Sequence, residues 1–260
     1  MKVYIIIFIV LSLILYLTFS FFFGFFKYYN KDYKKVSGVK DVFLFRHYLL
    51  LPYYIGVDIA RRNPNYFRPH GVVIFTGHQG YGKSISMFQY ATTLKNEYPL
   101  VKIISNTKFT LADYNLNHWK FLVNFDNGEL GVIAIIDELQ NWFNSKQSKN
   151  FPPEMLSTIT QCRKSKRIVL GTAQQFYMIS KDLRTQCTLV CECYTIFSRL
   201  TIVVKKEPIV DNEGEVLKMR FKGFYSFVQT DKLRESYDTY ATIKNLSDSG
   251  FYERSGKYEK

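Results

Sequence analysis

Two kinds of apolar pattern follow each other along this chain of 260 residues. The first is one uncharged apolar run at 3–26, which is long enough to cross a membrane as a helix. The second is a series of short apolar runs, separated by segments whose apolar residues recur at helical spacing. The short runs predict strands at 72–76, 101–105, 131–136, 167–172 and 188–194, and the segments between them predict helices near 84–96, 108–120 and 153–164. This alternation is typical of an α/β fold with a parallel sheet that is covered on both faces.

Two further apolar segments follow the fifth predicted strand. Segments 200–205 and 216–225 flank the turn-forming residues 211–214, so they predict an antiparallel β-hairpin. Residues 231–260 are polar, and we expect them to run along the surface.

The run at 3–26 is predicted to be a retained transmembrane anchor. A cleavable signal peptide is the alternative, but its apolar core is usually only about 7–15 residues long and is followed by small residues. Here the run ends in bulky phenylalanines. Lys2 precedes it, whereas five lysines follow it: Lys27, Lys31, Lys34, Lys35 and Lys40. The positive-inside rule therefore predicts a single-pass protein with its N-terminus outside and the α/β domain in the cytoplasm.

These patterns divide the chain into four predicted parts. They are a transmembrane anchor at 1–26, a juxtamembrane connector at 27–70, an α/β domain at 71–245 and a polar tail at 246–260. Within the connector, the apolar stretch 42–54 is a candidate helix that Pro52 and Gly56 are expected to interrupt.

Charge and cysteine content narrow the choice of partners. The net charge is +13, and such a surface attracts nucleic acid or anionic lipid, although a generally basic soluble surface is the alternative. Apolar residues make up 47% of the chain, which excludes global disorder. No CxxC pair occurs, so a zinc site is poorly supported. The four cysteines, Cys162, Cys187, Cys191 and Cys193, are expected to be buried free thiols in a reducing compartment.

The first predicted strand leads directly into GHQGYGKS at 77–84, which fits the phosphate-binding pattern G-x-x-x-x-G-K-[ST] at every fixed position. Glycines let the backbone bend so that successive N–H groups point at phosphates, and the following helix N-terminus adds a positive dipole end. Lys83 is predicted to reach the β- and γ-phosphates of ATP, and Ser84 to bind Mg²⁺. The candidates for nucleotide binding are Gly77, His78, Gln79, Gly80, Tyr81, Gly82, Lys83, Ser84 and Ile85.

The third predicted strand ends in Asp137 and Glu138. An aspartate at this position can hold Mg²⁺, so Asp137 is predicted to share the ion with Ser84. Glu138 is then predicted to polarise the attacking water as a general base. The alternative is a solvated acidic pair at the end of a strand. Together with the glycine-rich loop, this pair predicts an ATPase that needs Mg²⁺.

The fourth predicted strand ends in two amides, Gln174 and Gln175. In P-loop ATPases with a catalytic glutamate, the corresponding strand lies between the loop strand and the Asp-Glu strand. We therefore expect the spatial order 5-1-4-3-2, with the strands numbered along the chain. Gln174 is our candidate sensor of the γ-phosphate, and an ordinary exposed loop amide is the alternative.

These motifs resemble the ATPases grouped with the zonular occludens toxin N-terminal domain, which include the assembly ATPases of filamentous phages, within the FtsK/HerA lineage. The matching segments are TGHQGYGKS at 76–84, IIDELQNWF at 135–143, PPEMLSTITQCRKSKRIVLGTAQQ at 152–175, ISKDLR at 179–184 and YDTY at 237–240. The resemblance implies a P-loop NTPase fold with the RecA-like strand order.

The resemblance also implies a homo-oligomeric, ring-forming motor in the inner or plasma membrane of a host cell. Its implied partners are DNA, which is single-stranded in the case of virion extrusion, and phage coat or assembly proteins. Arg163 and Arg184 would be arginine fingers that reach a neighbouring subunit's γ-phosphate, and surface or phosphate-facing arginines are the alternative. The chain departs from the filamentous-phage proteins because its apolar segment precedes the ATPase motifs.

Three functions stay open at this point. The first is a motor for virion assembly, extrusion or DNA packaging. The second is a plasmid or conjugation-type DNA translocase with the same chemistry. The third is a membrane scaffold that binds nucleotide without significant turnover.

Overall fold

The structure is a computed structural model that describes residues 2–29, 44–142, 153–211 and 214–237. It divides into two compact units, Met1–Pro64 and Asn65–Lys260, and the division falls within the predicted connector. The predicted polar tail lies outside the described residues, as do the last three residues of the YDTY segment.

The first unit contains the helices α1 (Lys2–Tyr28) and α2 (Leu44–Ala60). Within the described residues, the part of α1 at Ile7–Lys27 is long and apolar enough to span a membrane. The prediction that Pro52 and Gly56 interrupt the second apolar segment is wrong, because both lie inside α2. A Cβ on Gly56 would lie 2.2 Å from the carbonyl oxygen of Phe21, so the missing side chain lets the two helix backbones touch. Tertiary packing here outweighs the low helix propensity of glycine.

The second unit is built on a sheet that has eight strands within the described part of the chain. The strands are β1 (Gly71–Thr76), β2 (Lys102–Ser105), β3 (Tyr114–Asn115), β4 (Val132–Ile136), β5 (Arg167–Ala173), β6 (Cys187–Ile196), β7 (Leu200–Val210) and β8 (Val216–Val228). The helices are α3 (Lys83–Glu97), α4 (Trp119–Asn124), α5 (Leu139–Trp142), α6 (Pro153–Thr160), α7 (Lys181–Gln186) and α8 (Asp231–Glu235).

The strand order in space is β3-β2-β4-β5-β1-β6-β7-β8. The five predicted strands are β1, β2, β4, β5 and β6, all neighbouring pairs among them are parallel, and the predicted order 5-1-4-3-2 is confirmed. β7 and β8 continue the sheet as an antiparallel hairpin, which is also confirmed. The P-loop NTPase type of α/β fold is therefore the fold of this unit.

The predicted helix at 108–120 is wrong. Part of this segment forms β3, which pairs with β2, and α4 begins only at Trp119. The carboxylate of Asp113 accepts hydrogen bonds from the backbone N–H of Ile103 at 2.9 Å and from the Lys102 ammonium at 2.8 Å. Such a side-chain bond to the backbone offers the chain an alternative to helix, and here it holds the segment against β2.

The described part of the C-terminal segment, residues 231–237, lies at the surface as expected, since none of these residues is fully buried. They form α8 and a short bridge in which Tyr237 pairs with Phe109. The Tyr237 ring also stacks on Phe88 of α3, with the ring centroids 4.6 Å apart. The segment after β8 is therefore joined to the helix that follows the glycine-rich loop.

The core lies on both faces of the sheet. α3 packs on one face, and the helices α6 and α7 pack on the other. Cys191 and Cys193 point to the α3 side and are buried free thiols, as predicted. Burial raises the pKa of the Cys193 thiol to about 11, so it stays protonated at neutral pH.

The role of Asp113 in fixing β3 predicts different effects for two substitutions. Asp113→Ala leaves the N–H of Ile103 unpaired and should lower the free energy of unfolding by about 1–3 kcal/mol. Asp113→Asn keeps an oxygen for that N–H and loses only the partly exposed ion pairs, so it should cost less than about 1 kcal/mol. Chemical denaturation of both variants checks this. Equal losses would mean that the backbone bond contributes nothing.

Candidate functional site

The glycine-rich loop connects the carboxyl end of β1 to the first residue of α3. Every residue of β1 is buried, and α3 starts at Lys83, so strand, loop and helix follow in the order that the motif requires. Gly80 and Gly82 both have a φ of 81°, a left-handed conformation that favours glycine. The loop residues at 78–81 are exposed.

Lys83 lies across this loop. Its ammonium donates a hydrogen bond to the carbonyl oxygen of His78 at 3.0 Å, so the side chain connects the end of the loop to its beginning. Partial burial lowers the pKa of Lys83, and the nearby Asp137 carboxylate opposes that shift. A bound phosphate would favour the charged ammonium in the same way.

The side chains of Ser84 and Asp137 are in direct contact. The Ser84 hydroxyl lies 3.1 Å from one carboxylate oxygen of Asp137 and 3.2 Å from the other. Ser84 follows β1 and Asp137 follows β4, and these strands are separated by β5. The two residues meet because all three strands are parallel and end at the same edge of the sheet.

Two residues that sequence reasoning missed hold the acidic pair in place. The Thr172 hydroxyl donates to the Asp137 carboxylate and accepts from the backbone N–H of Glu138 at 2.9 Å. The Asn106 side chain donates to the Asp137 carbonyl at 3.0 Å and accepts from the Asp137 N–H at 2.8 Å. Thr172 is near the end of β5 and Asn106 follows β2, so a search for polar residues at the ends of all parallel strands would have found both.

The backbone at Glu138, just after the end of β4, has a left-handed conformation. Its φ is 53°, which is uncommon for a residue with a side chain and is supported here by the bond from its N–H to Thr172. The carboxylate is exposed and accepts a hydrogen bond from the Asn141 side chain at 2.7 Å. The structure therefore holds an exposed carboxylate beside the Ser84–Asp137 contact, and its catalytic role stays a prediction.

Gln174 lies next to the start of the loop. Its carbonyl oxygen accepts a hydrogen bond from the N–H of Gly77 at 3.4 Å, and its side chain is exposed. This position is compatible with a phosphate sensor, and that role also stays a prediction.

The two candidate arginine fingers are not brought to the loop of their own chain. Arg163 is exposed in the turn before β5, and Arg184 lies in α7 just before β6. Both therefore lie near the edge of the sheet where the parallel strands begin, whereas the loop lies where they end. Arg184 is buried and forms an ion pair with Glu215 at 3.5 Å. A finger role for either residue would act on a second copy and stays a prediction.

The residues at this edge fit a magnesium ion. The Ser84 hydroxyl and the Asp137 carboxylate are oxygen ligands of the kind that Mg²⁺ prefers. Across the described ranges, no three His, Cys, Asp or Glu side chains come together as a metal-binding group. A site with one hydroxyl and one carboxylate suits Mg²⁺ that takes its other ligands from phosphates and water.

Solved structures with similar folds include a toxin domain, a viral DNA-packaging ATPase and a flagellar accessory protein. The N-terminal domain of zonular occludens toxin from Neisseria meningitidis is 14% identical, with a TM-score of 0.46 over 65% of this chain and 99% of that domain. The DNA-packaging ATPase B204 from Sulfolobus Turreted Icosahedral Virus is 13% identical, with a TM-score of 0.43 over 59% of this chain and 98% of that chain. The flagellar accessory protein FlaH from Methanocaldococcus jannaschii is 12% identical, with a TM-score of 0.37 over 62% of this chain and 91% of that chain.

The first of these structures is of the domain type that the sequence motifs resemble, so that resemblance is confirmed as a similarity. No protein-family model and no curated protein matches the chain. At these identities and scores the similarities carry no conclusion about function, which rests on the site itself.

The lowered pKa of Lys83 predicts proton uptake when a triphosphate binds. The ordinary pKa of a lysine is 10.5, and that of Lys83 is lower. At alkaline pH below 10.5, a fraction of the free protein therefore carries a neutral Lys83 amine. Phosphate favours the ammonium, so binding should take up a proton there, and the affinity should fall as the pH rises through the lowered pKa. Calorimetric titration with ATP in two buffers of different ionisation enthalpy measures the uptake. Lys83→Met should abolish it, and equal heats in both buffers for the unmodified protein would contradict the prediction.

Proposed function

We propose that this protein is a membrane-anchored motor that hydrolyses Mg-ATP to drive virion assembly or extrusion, or DNA packaging. The observation that supports this most strongly is the contact of the Ser84 hydroxyl with both oxygens of Asp137, beside the exposed carboxylate of Glu138. Phosphoryl transfer from ATP needs groups of this kind beside a glycine-rich loop: a hydroxyl, two carboxylates and a lysine ammonium.

Each group has a defined chemical task in this proposal. The loop N–H groups and Lys83 bind the phosphates, and Ser84 and Asp137 hold the magnesium ion. When bound, Mg²⁺ would neutralise negative charge on the β- and γ-phosphates. Glu138 accepts the proton of the attacking water, and the bond from Asn141 keeps its carboxylate oriented. Thr172 orients the Asp137 carboxylate and holds the Glu138 backbone, because its hydroxyl bonds to both.

The proposed partners follow from charge and from the apolar helix. A net charge of +13 supports binding to a polyanion, and we propose that this is DNA. The helix α1 supports anchoring in the inner or plasma membrane of a host cell, with the ATPase unit in the cytoplasm. A homo-oligomeric ring in contact with coat or assembly proteins would couple hydrolysis to movement, as the motif resemblance implies.

A plasmid or conjugation-type translocase would use the same site. The neighbouring genes separate the two possibilities, since coat-protein genes belong with virion assembly and relaxase genes belong with conjugation. A scaffold that binds nucleotide without turnover is the third possibility, and it is separated from both motors by the substitutions below.

Two substitutions test hydrolysis, measured on the full chain in detergent with Mg-ATP. Lys83→Ala should abolish hydrolysis, because it removes the ammonium that binds the phosphates. Glu138→Gln should keep ATP binding but lower kcat by about 10²–10⁴-fold, because it removes the proton acceptor. Glu129→Gln is the matched control, because Glu129 lies just before β4, at the opposite end of the strand from Glu138. The kcat of the Glu129→Gln variant should equal that of the wild type. A wild-type protein that binds ATP without turning it over would favour the scaffold.

The motor role makes a further prediction about DNA. Single-stranded or double-stranded DNA should raise the ATPase rate of the full chain, and Glu138→Gln should remove the stimulated activity as well. A rate that stays indifferent to both kinds of DNA, and to virion components, would contradict the motor role while leaving the ATPase intact.

A further inference from the structure

Three polar side chains from outside the loop motif lie close to Gly82, the loop residue that precedes Lys83. A Cβ on Gly82 would lie 2.5 Å from the Thr195 hydroxyl, 3.3 Å from the Thr201 hydroxyl and 3.4 Å from the side-chain nitrogen of Gln229. Thr195 lies at the end of β6, Thr201 near the start of β7, and Gln229 directly after β8. Thr201 and Gln229 are both buried, with 0% and 6% of their surface exposed.

The hydrogen bonds among these groups can run in only one direction. The Tyr81 carbonyl can only accept, so Thr195 donates its single hydroxyl proton to it at 3.1 Å. Thr195 must then accept from Thr201, whose hydroxyl oxygen is 3.0 Å away. Thr201 in turn accepts from the side-chain N–H₂ of Gln229 at 2.8 Å. The same Gln229 nitrogen also lies 3.4 Å from the Thr195 hydroxyl, a longer and weaker contact. These four groups form a relay that begins at the Gln229 amide and ends at the Tyr81 carbonyl.

Arg234 fixes the outer end of the relay. Its guanidinium donates two hydrogen bonds to the side-chain oxygen of Gln229, at 2.8 Å and 3.1 Å, which orients the amide N–H₂ toward Thr201. The same guanidinium donates to the carbonyl of Ser198 in the turn between β6 and β7. Arg199 adds a bond to the Gln229 carbonyl at 2.9 Å and an ion pair with Asp231 at 2.7 Å. Arg234 thus holds the side-chain amide of Gln229, and Arg199 holds its backbone carbonyl.

The relay fixes the orientation of one peptide group in the loop, the one that joins Tyr81 to Gly82. In a trans peptide the C=O and the N–H point in opposite directions. Because the Tyr81 carbonyl points toward Thr195, the N–H of Gly82 in the same peptide points away from β6. The N–H groups of such a loop bind phosphate only when they point inward together.

We propose that Gln229 and Arg234 are positioning residues for nucleotide binding, acting through Thr201 and Thr195 on the Tyr81–Gly82 peptide. ATP affinity then depends on the segment that follows β8, although no residue of that segment belongs to the nucleotide motifs. This inference rests on the proposed function, since it concerns how the same site is held ready for ATP.

Paired substitutions in the full chain test the relay. Thr201→Val removes the hydroxyl with little change in shape, and Gln229→Glu keeps the oxygens that face Arg234 but removes the N–H donors. Each should raise the Kd and the KM for ATP about tenfold, as loss of one partner of a buried hydrogen bond does. The kcat should change less than about twofold, because the loop binds the phosphates equally before and during the reaction.

Two controls separate positioning from packing. Thr201→Ser keeps the hydroxyl and should restore an affinity close to that of the wild type. Thr188→Val makes the same chemical change at the other end of β6, where the hydroxyl donates to Val72 at 2.8 Å far from the loop, and should leave ATP affinity unchanged. Thermal unfolding without nucleotide shows whether each variant is folded.

The outcomes distinguish this inference from the proposed function. A wild-type chain that neither binds nor hydrolyses ATP would overturn the proposed function itself. A wild-type chain that binds ATP, together with folded Thr201→Val and Gln229→Glu variants that bind it within twofold as tightly, would overturn the relay alone. Equal losses for Thr201→Val and Thr201→Ser would also overturn it, because packing rather than the hydroxyl would then be responsible.

Discussion

The contact between Ser84 and Asp137 is the constraint on which the site depends. It joins two side chains that are 53 residues apart in sequence, and it exists only because β1, β5 and β4 are parallel neighbours in that order. Since parallel strands end at one edge, the loop after β1 and the acidic pair after β4 are both placed there. β5 lies between them and supplies Thr172, whose hydroxyl bonds to the Asp137 carboxylate and to the Glu138 backbone N–H.

The loop is held from two sides by different means. On one side, Ser84 and Lys83 face the carboxylates at the end of β4. On the other side, the hairpin that extends the sheet past β6 presents Thr195, Thr201 and Gln229 to the last turn of the loop. The same C-terminal segment continues to Tyr237, which stacks on the helix that the loop begins. The elements after β6 therefore contact the glycine-rich loop as well as widening the sheet.

Sequence reasoning was reliable where the pattern is local and periodic. The buried β-branched runs gave the five parallel strands, and the loop motif together with the acidic pair gave the strand order. It failed where distant contacts override local preference. Asp113 draws residues 114–115 into the sheet, and Gly56 packs against α1 within a helix. Thr172 and Asn106 carry no motif of their own, and the partners of Gln229 come from strands whose hairpin register no sequence pattern specifies.

The most direct measurement of the central claim is a structure of the full chain with a non-hydrolysable ATP analogue and Mn²⁺ in place of Mg²⁺, with the metal located by its anomalous signal. The ion should lie within about 2.0–2.3 Å of the Ser84 hydroxyl oxygen, with Asp137 bound to it directly or through one water and the phosphates inside the loop at 77–84. An ion or triphosphate bound away from these two residues, or a loop without room for phosphate, would contradict the account.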